Sequence, residues 1–350
     1  SLVAALLCAA LAVVSLLLAR GRLSLPRRKG TPESPVEEHE PTLGQALARD
    51  PLPVAPVRNN ESSKDKEAGS VGASGKHIEL DPGIFRAYDI RGVVGSTLSA
   101  EVAERIGQAI GTVMEEQGLD DIVVGRDGRL SGPELSAGLI EGLRKAGRNV
   151  IDIGLAPTPV AYFGAYYLRT GSSVAVTGSH NPPDYNGFKI VIGGQTLSGD
   201  AITDLYARIH EQRLFQADLQ GGLQQRDVAA DYIQRIADDV QLDRPLKVVV
   251  DAGNGVAGGI APDLLEAIGA EVIPLYCDVD GTFPYHHPAP SALHILEHLF
   301  QTVKRFDADL GLAFDGDADR LGVVTKEGEV IFPDRLLMLF AADVLERNPG

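Results

Sequence analysis

Three aspartates alternate with small residues in Asp315-Gly316-Asp317-Ala318-Asp319, and Arg320 follows directly. At i, i+2, i+4 spacing their carboxylates share one side of an extended loop. Three like charges this close repel unless a cation sits among them. Oxygen-only ligands favour Mg2+ over Zn2+, and three of them leave octahedral positions for water or a phosphate oxygen. Arg320 adds a positive charge suited to holding phosphate bidentately. A calcium-binding EF-hand needs Glu at the twelfth loop position, and counted from Asp315 that position is Lys326. A solvated acidic turn is the plainer reading, but it gives no reason for three acids in register right after the apolar run 310–314.

The second chemical segment is Thr177-Gly178-Ser179-His180-Asn181-Pro182-Pro183. The two prolines stiffen its exit, and Gly178 is the residue expected to take an unusual backbone angle. Ser179 is thus displayed on a turn beside His180, with Lys189 further on in Asn186-Gly187-Phe188-Lys189. The nucleophile elbow of serine esterases, Gly-x-Ser-x-Gly, is absent. A serine that carries phosphate, beside a cation and basic side chains, accounts for both loops.

Other segments are less decisive. The stretch 83–92 holds Arg86, Tyr88 and Arg91 between glycines, and alone it reads equally as a surface turn. Val124-Gly125-Arg126-Asp127-Gly128-Arg129 is either a phosphate-handling loop or a salt-bridged turn. His286 and His287 lie among prolines without a third ligand and read as a polar turn. Gly253, Gly255 and Gly258, with Asp278 twenty residues beyond, match a dinucleotide fingerprint. The same glycines serve a close helix–strand junction, the reading favoured here.

These loops need a scaffold. Apolar runs at 121–124, 149–153, 173–176, 246–250, 271–275 and 309–314 read as strands. Helices are expected at about 99–117, 131–146, 158–168, 228–240, 260–268, 292–306 and 334–348. Ser99 is an N-cap, and Ser131 with Glu134 forms a capping box. Tyr162, Phe163, Tyr166 and Tyr167 recur at helical spacing and are expected in the core. Alternating strands and helices predict an α/β fold: two tandem three-layer α/β/α domains with parallel or mixed sheets, divided near residue 225. Ligands in such folds sit beyond the carboxyl ends of strands, where both loops fall.

Together these motifs resemble the α-D-phosphohexomutase family, over residues 79–350. Thr177–Pro182 and Asp315–Arg320 carry the resemblance. Ala87-Tyr88-Asp89-Ile90-Arg91-Gly92, residues 124–127 and residues 186–189 extend it, as do the segments 283–288 and 332–335. The resemblance implies an enzyme, an intramolecular phosphotransferase. It would interconvert hexose 6-phosphate and hexose 1-phosphate of mannose and glucose, through a phosphoserine and a hexose 1,6-bisphosphate that also acts as activator. Exopolysaccharide and lipopolysaccharide precursors are the implied products. Ser179 would carry phosphate, and Asp315, Asp317 and Asp319 would bind Mg2+ with a Ser179 oxygen. Arg320 would contact the moving phosphoryl group. Tyr88, Arg91, Lys189 and Arg320 would bind substrate, and Arg91, His180 and Lys189 would assist proton transfer or charge stabilisation. Ala318 stands where relatives usually have Gly, and an ordinary loop angle would accommodate its methyl. A phosphoglucosamine mutase, a Mg2+ phosphohydrolase and a membrane-tethered scaffold are the alternatives.

The family has four domains. The expected division is domain I at 79–225, domain II at 226–330 and the opening of domain III at 331–350, so the 350-residue polypeptide is expected to be a poor mutase alone. Residues 1–19 are uncharged and apolar, and Arg20, Arg22, Arg27, Arg28 and Lys29 follow. That order reads as a transmembrane helix at 1–20 with a cytoplasmic body, whereas a signal peptide has its bases first. The Pro- and Glu-rich stretch 21–78 reads as a disordered linker. The formal charge of −16 excludes a broadly basic nucleic-acid binder. Two cysteines, Cys8 and Cys277, make neither a disulfide framework nor a four-ligand zinc site. The expected partners are a phosphosugar and, through the N-terminal helix, a membrane; the body is expected to be monomeric.

Overall fold

The computed structural model describes residues 80–347. The expected transmembrane helix and linker lie outside the described residues. Among the described residues, no helix is long and apolar enough to cross a membrane.

Strand β1 (Ile90–Val93) is followed by α1 (Ala100–Gln117), β2 (Asp121–Arg126), α2 (Gly132–Lys145), β3 (Asn149–Leu155) and α3 (Thr158–Tyr167). Then come β4 (Ser173–Val176), β5 (Tyr185–Ile192), β6 (Gln195–Thr196), α4 (Asp200–His210) and β7 (Leu223–Gln225). Ser99 caps α1 as expected, its Oγ accepting from Val102 N at 3.3 Å. Ser131 does not cap α2. Its Oγ accepts instead from Asn186 Nδ2 at 2.8 Å, so a tertiary bond displaces the expected capping box.

The first sheet runs β1-β5-β4-β2-β3-β7, with β6 on β5. Strands β4, β2, β3 and β7 are parallel, while β5 is antiparallel to both β4 and β1. The chain leaves β4, turns through Ser179 and returns as β5. Lys189 on β5 therefore lies opposite Ala175 on β4, close to the serine loop that β4 feeds. Both faces of the sheet are covered, which is why Ile122, Val123 and Val124 of β2 and every residue of β4 are buried. Ile122, Val124, Val174 and Val176 pack into the core under α1 and α2, and Val123 and Ala175 face the core of α3.

The second half holds α5 (Ala229–Asp239), β8 (Lys247–Asp251), α6 (Ala261–Ala267), β9 (Glu271–Leu275), α7 (Glu297–Arg305), β10 (Leu310–Phe314), β11 (Leu321–Thr325), β12 (Val330–Ile331) and α8 (Pro333–Arg347). Its sheet runs β12-β11-β10-β8-β9. Strands β10, β8 and β9 are parallel, and β11 returns antiparallel beside β10. Alternation again divides the faces. Val248 and Val250 pack with α5 and α6, and Val249 packs with Leu299 and Val303 of α7.

The two sheets share one core. Phe163 of α3 meets Tyr232 of α5 edge-to-face at 5.3 Å, in a cluster running from Val123 to Leu312. This fixes the carboxyl ends of β4 and β10 against each other. The aromatic helix departs from expectation. Phe163 is buried, but Tyr166 and Tyr167 are exposed, and Tyr167 donates to Asp231 Oδ1 at 3.0 Å.

Gly258 answers the fingerprint question structurally. A Cβ there would lie 1.9 Å from the Cys277 carbonyl oxygen. The glycine serves a close backbone approach, as the junction reading requires.

Candidate active site

Strand β10 is buried at every position and delivers Asp315 straight into the interior. Asp315, Asp317 and Asp319 offer carboxylate oxygens all within 4.8 Å of one another, and among the described residues they are the only such group of potential metal ligands. Asp315 and Asp317 are fully buried. Asp315 Oδ1 accepts the backbone N–H groups of Asp319 and Arg320, both at 3.0 Å. Those bonds curl the loop around its own first carboxylate. Ala318 sits at φ +59°, so the expected ordinary angle gives way to a left-handed turn that brings Asp319 back toward Asp315.

Two buried oxygens in this cluster, Asp317 Oδ1 and Asp319 Oδ1, have no hydrogen-bond partner. Buried carboxylate oxygens without donors are costly. A hard divalent cation satisfies oxygens of this kind, so the residues present fit Mg2+. The electrostatics agree. Burial pushes the Asp315 carboxyl well above its usual range, and Asp317 and Asp319 add to the shift. Burial and Asp317 also raise Asp319. Burial opposes ionisation of Asp317 too, but Lys189 and Thr158 outweigh it and hold that carboxyl down at about 2.

Strand β4 delivers Ser179 to the same place. Its Oγ donates to Asp315 Oδ2 at 3.0 Å, and the residue is fully buried. The unusual backbone angle belongs to Ser179 itself, at φ +50°, and not to Gly178 as expected. A hydroxyl has one proton, so Ser179 does not also donate to His180 Nδ1, which lies 3.4 Å away. That nitrogen accepts from Arg320 NH1 at 2.8 Å. Burial and then Arg320 hold the His180 imidazole below its ordinary value, so His180 is a neutral acceptor here.

Lys189 donates to Asp317 Oδ2 at 2.6 Å and also to Asp319 Oδ2. Burial works to discharge it, but Asp317 and Asp319 outweigh burial and raise its pKa. Lys189 is therefore a fixed positive charge in this arrangement and not a base. Arg320 is half exposed, with Nε 3.8 Å from Asp315 Oδ2. Arg91 is buried on β1 and pairs with Asp89, and its NH1 has no partner. Tyr88 is 78 % exposed and is not drawn into the buried cluster.

Two contributors escape the sequence reading. Thr158, the first residue of α3, donates to Asp317 through both its N–H and its Oγ1. Its sequence signal is only a Thr-Pro helix start. Tyr162, expected among the core aromatics, lies near Lys189 and Asp319, and burial pushes its phenol up to about 12. The open reading of residues 124–129 resolves as a buried ion pair, Arg129 Nε to Asp127 Oδ2 at 3.1 Å. It lies directly under the serine loop. His286 donates to Asp251 Oδ2 at 3.2 Å, in keeping with a polar turn.

Comparison with known proteins bears on this geometry. The family model described as phosphoglucomutase/phosphomannomutase, alpha/beta/alpha domain I, matches residues 82–215, and its domain II counterpart matches 230–328. A phosphomannomutase/phosphoglucomutase of Pseudomonas aeruginosa is 56% identical over 278 residues, which are 79% of this chain and 60% of that protein. A phosphoglucomutase of Neisseria meningitidis is 52% identical over 267 residues, 76% of this chain and 58% of that protein. A crystal structure of a phosphoglucomutase/phosphomannomutase family protein from Burkholderia thailandensis superposes with a TM-score of 0.75 at 53% identity, covering 78% of this chain and 61% of that one. The chain thus spans about 60% of the length of the curated relatives it matches.

Proposed function

We propose that this chain, which belongs to the phosphoglucomutase/phosphomannomutase family, carries the phosphoryl-transfer centre of a hexose-phosphate mutase. One observation carries the reading. Ser179 Oγ, delivered by one sheet, lies 3.0 Å from Asp315 Oδ2 in a carboxylate cluster delivered by the other.

In this reading Ser179 holds the phosphoryl group. Phosphate passes from Oγ to a hydroxyl of hexose 1- or 6-phosphate: the Oγ–P bond breaks, the sugar O–P bond forms, and the proton lost by the hydroxyl is in net taken up by the Ser179 Oγ that leaves. The bisphosphate then returns its other phosphate to Ser179. Asp315, Asp317 and Asp319, with a Ser179 oxygen, would hold Mg2+. The ion, when bound, supplies charge stabilisation for the phosphoryl oxygens. Lys189, held charged by Asp317 and Asp319, and Arg320, half exposed beside them, supply further positive charge where negative charge develops. Arg91 NH1, buried and unpartnered, would meet a substrate anion. Tyr88 would meet substrate from the exposed rim. His180, neutral and with its Nδ1 already accepting from Arg320, would offer its Nε2–H to stabilise phosphate charge.

The domain division near residue 225, the membrane anchor at 1–20, a monomeric body and activation by hexose 1,6-bisphosphate belong to the same proposal. So does supply of envelope polysaccharide precursors. The test is the mass of the Ser179 peptide before and after incubation with glucose 1,6-bisphosphate and Mg2+. A gain of about 80 Da on Ser179, lost in Asp317→Asn, supports the reading. An unmodified Ser179 with mutase turnover intact in Ser179→Ala would overturn it. Turnover of glucosamine phosphate in preference to mannose or glucose phosphate would move the assignment to a phosphoglucosamine mutase.

A further inference from the structure

The turn that displays Ser179 is built around two buried charged side chains whose hydrogen bonds go to each other and to the serine loop, not to the carboxylate cluster. Asp127 and Arg129 are each 1 % exposed. Asp127 Oδ2 accepts Thr177 Oγ1 at 2.7 Å and Gly178 N at 3.1 Å. Thr177 Oγ1 in turn accepts Ser179 N at 2.7 Å. This chain of bonds fixes the amide side of the serine turn.

Arg129 fixes its carbonyl side. NH2 donates to Ser179 O at 2.8 Å and Asn181 O at 2.7 Å. NH1 donates to Tyr185 O at 2.9 Å and to Pro182 O. Nε donates to Asp127 Oδ2. All five guanidinium N–H donors are used, four of them on backbone carbonyls of residues 179–185. A Cβ on Gly178 would lie 2.2 Å from Arg129 Cζ, so Gly178 is the space the guanidinium fills. From the second half of the chain, Phe283 stacks on Arg129 with 5.2 Å from Cζ to the ring centroid.

Ser179 at φ +50° is in a conformation that L-residues avoid, and it persists only where surroundings over-determine it. We propose that Arg129, anchored by Asp127, is a positioning residue that imposes the left-handed conformation of Ser179 and so aims its Oγ at the transferring phosphoryl group. The planar fork is needed because four carbonyls diverge around it. A lysine ammonium has three donors and no fixed plane. The inference rests on the phosphoserine reading.

The test measures loading of phosphate onto Ser179 from glucose 1,6-bisphosphate with saturating Mg2+, in the full chain, for wild type, Ser179→Ala, Arg129→Lys and Thr177→Val. Two quantities are read: the limiting loading rate and the bisphosphate concentration at half-maximal rate. Thr177→Val keeps the side-chain shape and removes only the link from Asp127 to Ser179 N, so it stands in if Arg129→Lys fails to melt cooperatively. Misaimed oxygens lower the limiting rate, by about 10- to 100-fold, while the half-maximal concentration stays within about twofold. A limiting rate equal to wild type in folded Arg129→Lys, or in Thr177→Val where Arg129→Lys does not fold, overturns the proposal. So does a raised half-maximal concentration at unchanged limiting rate, which marks a binding role. If wild type itself loads no phosphate on Ser179, the phosphoserine reading has failed and the proposal falls with it.

Discussion

Thr158 and Asp317 join the two halves of the molecule through two hydrogen bonds. The backbone N–H of Thr158 donates to the Asp317 carbonyl at 2.9 Å, and its Oγ1 donates to Asp317 Oδ2 at 2.5 Å. Thr158 opens α3, so the positive end of that helix faces the carboxylate cluster. The pair is fully buried, and Oδ2 also receives Lys189. A helix of the first sheet thereby holds in place a carboxylate that follows the second.

That relationship predicts the cost of Thr158→Val. The isosteric change removes one donor to a buried charged acceptor, a loss of about 1.5–3 kcal/mol. Urea unfolding should show a lower midpoint at unchanged slope. Thr158→Ser, which keeps the hydroxyl, should recover most of it. Equal stability of Thr158→Val and wild type would show that Oγ1 is not bonded as described.

The unpartnered oxygens Asp317 Oδ1 and Asp319 Oδ1 predict a metal-dependent stability. A ligand bound only by the native state stabilises by RT ln(1 + [L]/Kd), about 2.7 kcal/mol at one hundred times Kd. The thermal midpoint should rise with Mg2+ concentration in wild type. Asp319→Asn removes one charge and one anionic ligand and should abolish most of that rise. Parallel Mg2+ titrations of both proteins by calorimetry check it; identical rises would place the cation elsewhere.

What is legible in the sequence, and what is not, follows from range. The carboxylate and serine loops stand out because their residue types repeat at short spacing after apolar strands. The buried strands show as continuous apolar runs. The return strand β5 does not, because Tyr185–Ile192 mixes Asn, Gly and Lys with its apolar residues, and its pairing comes from a turn of tertiary design. Nothing between Lys189 and Asp227 is read as an element, yet α4 packs Ile202 and Leu205 into the core there. The work of Arg129 is invisible for a stricter reason. Four of its five hydrogen bonds go to backbone carbonyls, which every residue type possesses. Ser131 has the pattern of a cap, but Asn186, 55 residues on, claims its hydroxyl.

Gly258 gives a prediction that separates the two readings of its motif. Gly258→Ala would drive a Cβ to 1.9 Å from the Cys277 carbonyl. The obstacle is backbone and cannot swing aside as a side chain would, so the segment following β9 and the turn before α6 must part. A loss of about 1–3 kcal/mol is expected, read as a lower thermal midpoint, with no NADH binding by fluorescence in either protein. An unaffected midpoint with NADH binding lost would restore the dinucleotide reading.

His286 predicts a pH dependence of stability. Its Nε2 lies 3.2 Å from Asp251 Oδ2 and its Nδ1 lies 3.0 Å from the His287 carbonyl. Both neighbours are acceptors, so both ring nitrogens carry protons and the imidazole is charged. Burial opposes that charge, but the bond to Asp251 outweighs it and raises the pKa above the ordinary 6.5. A group whose folded pKa is raised stabilises fully below its unfolded value and loses that contribution as pH climbs through the folded value. The destabilisation caused by His286→Gln should therefore be largest below about pH 6.5 and shrink as pH rises above it. Thermal midpoints of both proteins from pH 5.5 to 9 measure the difference directly. A gap that stays constant, or widens with pH, would show that His286 is neutral in the folded chain and that Asp251 is held by a neutral imidazole N–H alone.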